Sequence, residues 1–174
     1  MTIGQSYRDL LMFIHALIAF IAVPGLVAFA IPASWLGYAA LFQPSHPLGL
    51  LLIAPGSAAL LWCVRDFYVA GKGTLAPWAP PEKLVTVGLY RYSRNPMYTS
   101  VAFILFGWAI FFASASMLLY ALFFVALFHL RVVYGEEPWL ARTFGKEWQR
   151  YASRVPRWIR LIRHHHPLKI NHRI

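Results

Sequence analysis

Acidic residues are scarce in this chain: six Asp and Glu stand against sixteen Lys and Arg in 174 residues, a formal net charge of +10. Cysteine is scarcer still. Cys63 is the only one, so no disulfide framework, Cys-based zinc site or Cys-x-x-Cys redox motif is possible. Inside an apolar run it reads as a small core hydrophobe. Charge of either sign is thin, 13% of residues against 59% hydrophobic, where soluble domains run nearer a quarter and a half. That excess is hard to bury in a soluble core of this size, so membrane spans are sought first. There is no P-loop, no Gly-x-Gly-x-x-Gly after a strand, no Ser-His-Asp set, no internal repeat and no low-complexity segment.

What is present is a series of apolar runs. Met1 to Asp9 is short and polar, and Leu10 to Ala30 is long enough for the roughly 20 residues of a bilayer span. Pro24-Gly25 is expected to kink it. A cleaved signal peptide does not fit, because the run is long, its start holds one arginine and one aspartate, and more spans follow. Ile31 to Pro47 carries no Lys, Arg, Asp or Glu, and Trp35, Tyr38 and Phe42 suit a membrane–water interface. Leu48 to Tyr68 is the second span, expected to break at Pro55-Gly56. From Val69 to Pro81 prolines and glycines predict an ordered loop.

Tyr98 to Ala113 is the third span, Ser114 to Ser116 a tight turn, and Met117 to Val133 the fourth span. Gly135 is expected to break the helix. Glu136 and Glu137 then open another, where acids complement the helix dipole and Pro138 is tolerated in the first turn. This helix places Trp139, Leu140, Phe144, Trp148 and Tyr151 on one side and Arg142, Lys146, Gln149, Arg150 and Ser153 on the other. It is expected to lie in the interface plane. Val155-Pro156 ends it, and a basic, mobile tail runs from Arg157 to Ile174. The expected fold is therefore an all-α integral membrane protein: a helical pair over 1–70, a core over 71–158 and a tail.

Basic residues set the orientation. Arg8 precedes the first span, five more fall between the second and third, and the other ten run from Arg131 onward, all on one side. By the positive-inside rule that side is cytoplasmic, with both termini. The net charge is thus a topology signal with added attraction to anionic lipid, and no nucleic-acid partner is expected. His15, His46 and His129 are scattered, and the run His164 to His166 is a weak metal signal, so no metal site is expected.

Two polar segments meet at the cytoplasmic face, Lys72 to Tyr98 and Arg131 to Arg157. The first holds Leu84 to Tyr98, the longest polar interruption between apolar regions, with a glycine, a proline, three tyrosines and two arginines. It reads as one wall of a site. Asp66, Glu82, Glu136, Glu137 and Glu147 are the carboxylates nearby. Few acids, many aromatics and several arginines describe a pocket that binds a cofactor bringing its own reactivity.

Two motifs sharpen this. One is Gly88-Leu89-Tyr90 followed by Arg94-Asn95-Pro96-Met97-Tyr98. The other is Glu136-Glu137, Leu140, Phe144-Gly145, Trp148, Tyr151 and Arg154-Val155-Pro156. In this order, one helical hairpin apart, they resemble the isoprenylcysteine carboxyl methyltransferase family of membrane enzymes, over about Gly71 to Trp158. Asn95 stands where that family has histidine, and Trp148 where tyrosine is more usual. The resemblance implies S-adenosylmethionine as cofactor and a fold other than a Rossmann domain. It implies cofactor contacts at Glu82, Lys83, Leu84, Val85, Tyr90, Asn95, Pro96, Met97, Tyr98 and Glu136, with Thr74 to Pro77 closing over them. Arg131 is the nearest match to a substrate-contacting arginine. Arg154 is open to two readings, a contact to a substrate carboxylate or a structural tie.

The physical reading agrees with the resemblance. Faces of Tyr90 and Tyr98 suit adenine or a sulfonium cation, and Glu136 suits an ammonium. A carboxylate nucleophile needs no general base, and none is evident. The expected partners are the bilayer and a lipophilic acceptor. The alternatives are phospholipid amine N-methylation, a membrane reductase using reduced nicotinamide, and a non-catalytic membrane scaffold.

Overall fold

Proline decides how the first described helix is wound. The computed structural model describes residues 21–34, 46–71 and 83–159. Ile21–Ala30 is wound as a π-helix around Pro24, and residues 31–34 continue it as α-helix. Leu10 to Phe20, the rest of the expected first span, lies outside the described residues. Pro32 has no N–H, so it withholds the usual partner of the Ala28 carbonyl in α-winding and of the Val27 carbonyl in π-winding. Side chains from two other helices take over. Trp108 Nε1 donates to Ala28 O at 2.9 Å, and the Tyr120 hydroxyl donates to Val27 O at 3.0 Å.

A 3₁₀ turn, Pro47–Gly49, leads into α1, Leu50–Gly71. The break expected at Pro55-Gly56 is absent, and α1 runs through Pro55. Ser57 Oγ donates to Ile53 O at 2.7 Å just beyond it. The pair serves packing instead. A Cβ on Gly56 would lie 3.0 Å from Ser100 O, and one on Gly49 would lie 2.4 Å from Gly107 O, so α1 presses its backbone onto the next helix.

That helix is α2, Pro96–Phe111, with Pro96 in its first turn. Ser100 Oγ donates to Pro96 O at 2.8 Å and His46 N to Phe111 O at 2.8 Å, which occupies carbonyls at both ends. The turn is at Phe112 and Ala113, slightly earlier than expected, and Ser114 Oγ accepts from Met117 N at 3.3 Å to cap α3, Ala115–Arg131. The hairpin closes on Ala109, Phe112 and Met117. The main core joins the first segment, α1, α2 and α3 through Ala28, Leu60, Ile104, Leu105, Ala121 and Phe128.

The break expected at Gly135 is also absent. Val132–Glu136 is a π turn that carries α3 into α4, Glu137–Arg154, without interruption. The wider turn accommodates Pro138, which lacks an N–H. Glu136 and Glu137 therefore lie inside a helix, where Glu137 N–H already bonds Val132 O, and the dipole reading of these acids falls away. The sharp kink is at Gly145, with φ +49° and ψ −118°. The sidedness of α4 is as expected: Trp148 and Tyr151 are buried, and Arg142, Lys146 and Arg150 are exposed.

No strand occurs among the described residues. Two helical runs, Pro47–Gly71 and Ala115–Arg154, are long and apolar enough to cross a bilayer, and Pro24–Ser34 and Pro96–Phe111 are apolar but shorter. Leu51, Leu61, Leu119 and Phe123 are more than half exposed on these helices.

Candidate active site

The loop before α2 is held by contacts that begin in α1. Cys63, Val85 and Tyr90 form a small buried cluster, with the Tyr90 ring 5.5 Å from that of Phe67. Burial holds the Tyr90 phenol well above its usual range, so it stays protonated. Gly88 opens the 3₁₀ turn Gly88–Arg91 at φ +56°, a conformation that suits glycine. A Cβ there would also fall 2.0 Å from Asp66 Oδ2. Asp66 is buried, pairs with Arg65 through Oδ1 at 3.3 Å, and has no partner for Oδ2 among the described residues.

From the other side, α4 and the segment after it grip the same loop. The Tyr151 hydroxyl donates to Tyr90 O at 2.7 Å, and Arg94 N donates to Pro156 O at 2.9 Å. Asn95 Nδ2 donates to Arg157 O at 3.0 Å. Arg157 was expected in a mobile tail. Instead Glu137 receives it bidentately, at 2.9 and 2.7 Å, and also receives Arg94 Nη1 at 3.0 Å. The bond to Glu137 raises the Arg157 pKa. Arg94 lies over the Trp148 ring, 5.5 Å from its centroid.

Between these walls is a cavity of about 80 Å³, lined by Phe67, Leu84, Val85, Tyr90, Arg94, Asn95, Met97, Tyr98, Glu136, Leu140, Phe144, Trp148 and Tyr151. The π turn supplies its polar corner. Residues five apart on an α-helix face about 140° apart, from 3.6 residues per turn. The wider winding brings Arg131 and Glu136 together, with Nε 2.9 Å from Oε1. The Tyr98 hydroxyl donates to the same Glu136 oxygen, and Arg131 Nε lies 3.1 Å from the Tyr98 oxygen. Tyr98 also lines a second, apolar groove of about 740 Å³ between α2, α3 and Trp158, whose walls include Ala102, Phe103, Leu122, Ala126 and Phe128.

The chain matches the phospholipid methyltransferase family over residues 44–147, more than half its length. It belongs to that family. No curated protein and no solved structure matches it. The family is one of membrane methyltransferases and lies in the group that the two motifs resemble.

In this family member the sequence-predicted residues separate into groups. Leu84, Val85, Tyr90, Asn95, Met97, Tyr98 and Glu136 line the cavity. Pro96 is buried at the start of α2 without lining it, and Arg131 reaches it through Tyr98 and Glu136. Lys83 and Arg154 are exposed and line neither cavity. Glu82 and Thr74 to Pro77 lie outside the described residues. Tyr90, whose face was expected to meet adenine, is 5% exposed, with its ring 5.5 Å from that of Phe67. Sequence reasoning missed Arg94 as a lining residue and Arg157 as a tie, although Arg94 stood inside the first motif.

A methyl donor of this family's kind is S-adenosylmethionine, and the lining suits its polar end. Glu136 offers a carboxylate to an ammonium. Among the described residues the N–H groups of Leu84 and Val85 make no backbone–backbone hydrogen bond. At about 80 Å³ the cavity is smaller than the roughly 300–1,000 Å³ of sites for whole small ligands. Among the described residues no group of three His, Cys, Asp or Glu could hold a metal ion.

Proposed function

We propose that this protein transfers a methyl group from S-adenosylmethionine to the polar head of a lipophilic acceptor, at the cytoplasmic end of four membrane spans. The observation that carries it is Tyr98, which lines both the polar cavity and the apolar groove. A lipid chain in the groove would present its head beside the Glu136 corner. Bound there, the cofactor supplies a methyl on a positively charged sulfur.

The protein's share is placement and exclusion of water. Glu136 holds the ammonium and is itself held by Tyr98 and Arg131. Leu84, Val85 and Trp148 close the walls. Tyr90 stays protonated and is no base. With Glu136 paired to Arg131, the smaller cavity has no free base among its lining residues, and the groove has one imidazole, His129. An acceptor carboxylate needs no base, which is compatible with an O-methylation like that of the isoprenylcysteine carboxyl enzymes. Transfer then makes one O–CH₃ bond, breaks one S–CH₃ bond and leaves a neutral ester and thioether.

Membership in the phospholipid methyltransferase family favours a second reading, N-methylation of a phospholipid amine. That acceptor has to arrive as the neutral amine. Incubation of purified protein with methyl-labelled S-adenosylmethionine and native lipid extract tests both. A base-labile labelled ester supports the first reading, a base-stable labelled amine the second, and no labelled lipophilic product overturns both.

A further inference from the structure

Arg94 is a buried cation whose neighbours leave it incompletely satisfied. Its side chain is 14% exposed, one nitrogen meets Glu137, and the plane lies over Trp148. Its Nε–H is buried with no partner among the described residues. Charges in the cluster do not balance either. Arg94 and Arg157 both pair with Glu137, so two cations share one anion. A buried donor without an acceptor and an uncompensated charge are both costly. An anionic oxygen in the adjoining cavity, which Arg94 lines, would satisfy both.

Glu137, which holds Arg94, directly follows Glu136, which faces the same cavity. A carboxylate for an ammonium and a guanidinium for a carboxylate thus line one cavity. That is the pattern an α-amino acid group requires. We propose that Arg94 binds the α-carboxylate of the cofactor while Glu136 takes its ammonium. The inference rests on the proposed cofactor reading. The anion could equally be a lipid phosphate by its chemistry alone, so the test separates the two.

The test compares S-adenosylhomocysteine with 5′-methylthioadenosine, which lacks the amino-acid end, binding to purified full-length protein by calorimetry. Arg94→Gln is expected to weaken S-adenosylhomocysteine at least tenfold and to leave methylthioadenosine within about twofold. Arg94→Lys keeps the charge toward Glu137 but loses the Nε–H. It is expected to show a smaller loss, again for S-adenosylhomocysteine alone, and it serves if Arg94→Gln does not fold. Equal loss for both ligands makes Arg94 a structural latch and overturns the proposal. Unchanged S-adenosylhomocysteine affinity with a raised KM for the lipid acceptor overturns it in favour of a phosphate contact. Wild type that binds neither nucleoside overturns the cofactor reading and the inference with it, whereas wild type and Arg94→Gln binding S-adenosylhomocysteine equally overturns the inference alone.

Discussion

The Tyr98 hydroxyl, near the start of α2, donates to the Glu136 carboxylate at the end of the π turn. The bond joins the two motifs across 38 residues and fixes the polar corner of the cavity. Loss of the Glu136 charge should therefore act on ligand binding first. Truncating one partner of a desolvated charge pair costs about 2–5 kcal/mol. Glu136→Gln is expected to weaken S-adenosylhomocysteine binding by about tenfold or more, since one decade is about 1.4 kcal/mol. Glu147→Gln, exposed on α4, should leave affinity unchanged. Equal calorimetric affinity for Glu136→Gln and wild type would remove Glu136 from the site.

Gly88 is predicted to be intolerant of any side chain. Gly88→Ala places a Cβ 2.0 Å from Asp66 Oδ2 and asks alanine to hold φ +56°. The conformation alone costs roughly 1–2 kcal/mol, and the contact adds to it. The expected result is a lower unfolding midpoint together with weaker nucleoside binding. Adding Asp66→Ala should restore part of both, because it removes the contact and leaves the backbone strain. No recovery in the double variant would show that Asp66 does not set the constraint.

The carbonyls that Pro32 leaves without partners predict a stability effect far from the site. Trp108→Phe and Tyr120→Phe each remove a donor to the first segment, from Ala28 O and Val27 O. A buried carbonyl left unpaired costs about 1–3 kcal/mol. Both variants should unfold earlier in detergent, while Tyr134→Phe, at a side chain 78% exposed, should not. A midpoint for either variant equal to that of Tyr134→Phe would refute the role.

The groove predicts a separation of acceptor from cofactor. Ala126 lines the groove and not the smaller cavity. Ala126→Phe fills part of the space between α2 and α3. It should raise KM for a long-chain acceptor several-fold and leave S-adenosylhomocysteine affinity unchanged. A variant with wild-type KM would place the lipid elsewhere.

Topology can be read with one added thiol. The native Cys63 is buried, so background labelling should be low. Ser116→Cys, exposed near the start of α3, is expected to react with a membrane-impermeant reagent from the non-cytoplasmic side. Reaction only from the cytoplasmic side would reverse the orientation drawn from the sixteen basic residues.

Composition and pattern pointed to the helical class and to membrane association, and a resemblance carried by two motifs pointed to the family and to seven of the thirteen residues that line the cavity. Each of these is written in local order: apolar runs, and two motifs whose residues neighbour each other in sequence. Leu84 to Tyr98 could be recognised as a wall because a connector between apolar helices has little other reason to hold so many aromatics. Helix continuity was not legible. Pro55, Gly135 and Pro138 are breakers by intrinsic preference, yet packing of α1 on α2 and a π turn carry the helices through them. That π turn also brings Arg131 to Glu136, two residues that regular α-helix spacing would hold apart. Arg157 looked like one more charge in a basic tail until the fold set it against Glu137, a pairing across 20 residues that no local pattern encodes. Local preference is a matter of about a kilocalorie per residue. Where burying a helix face or satisfying a buried charge is worth more, the tertiary structure decides.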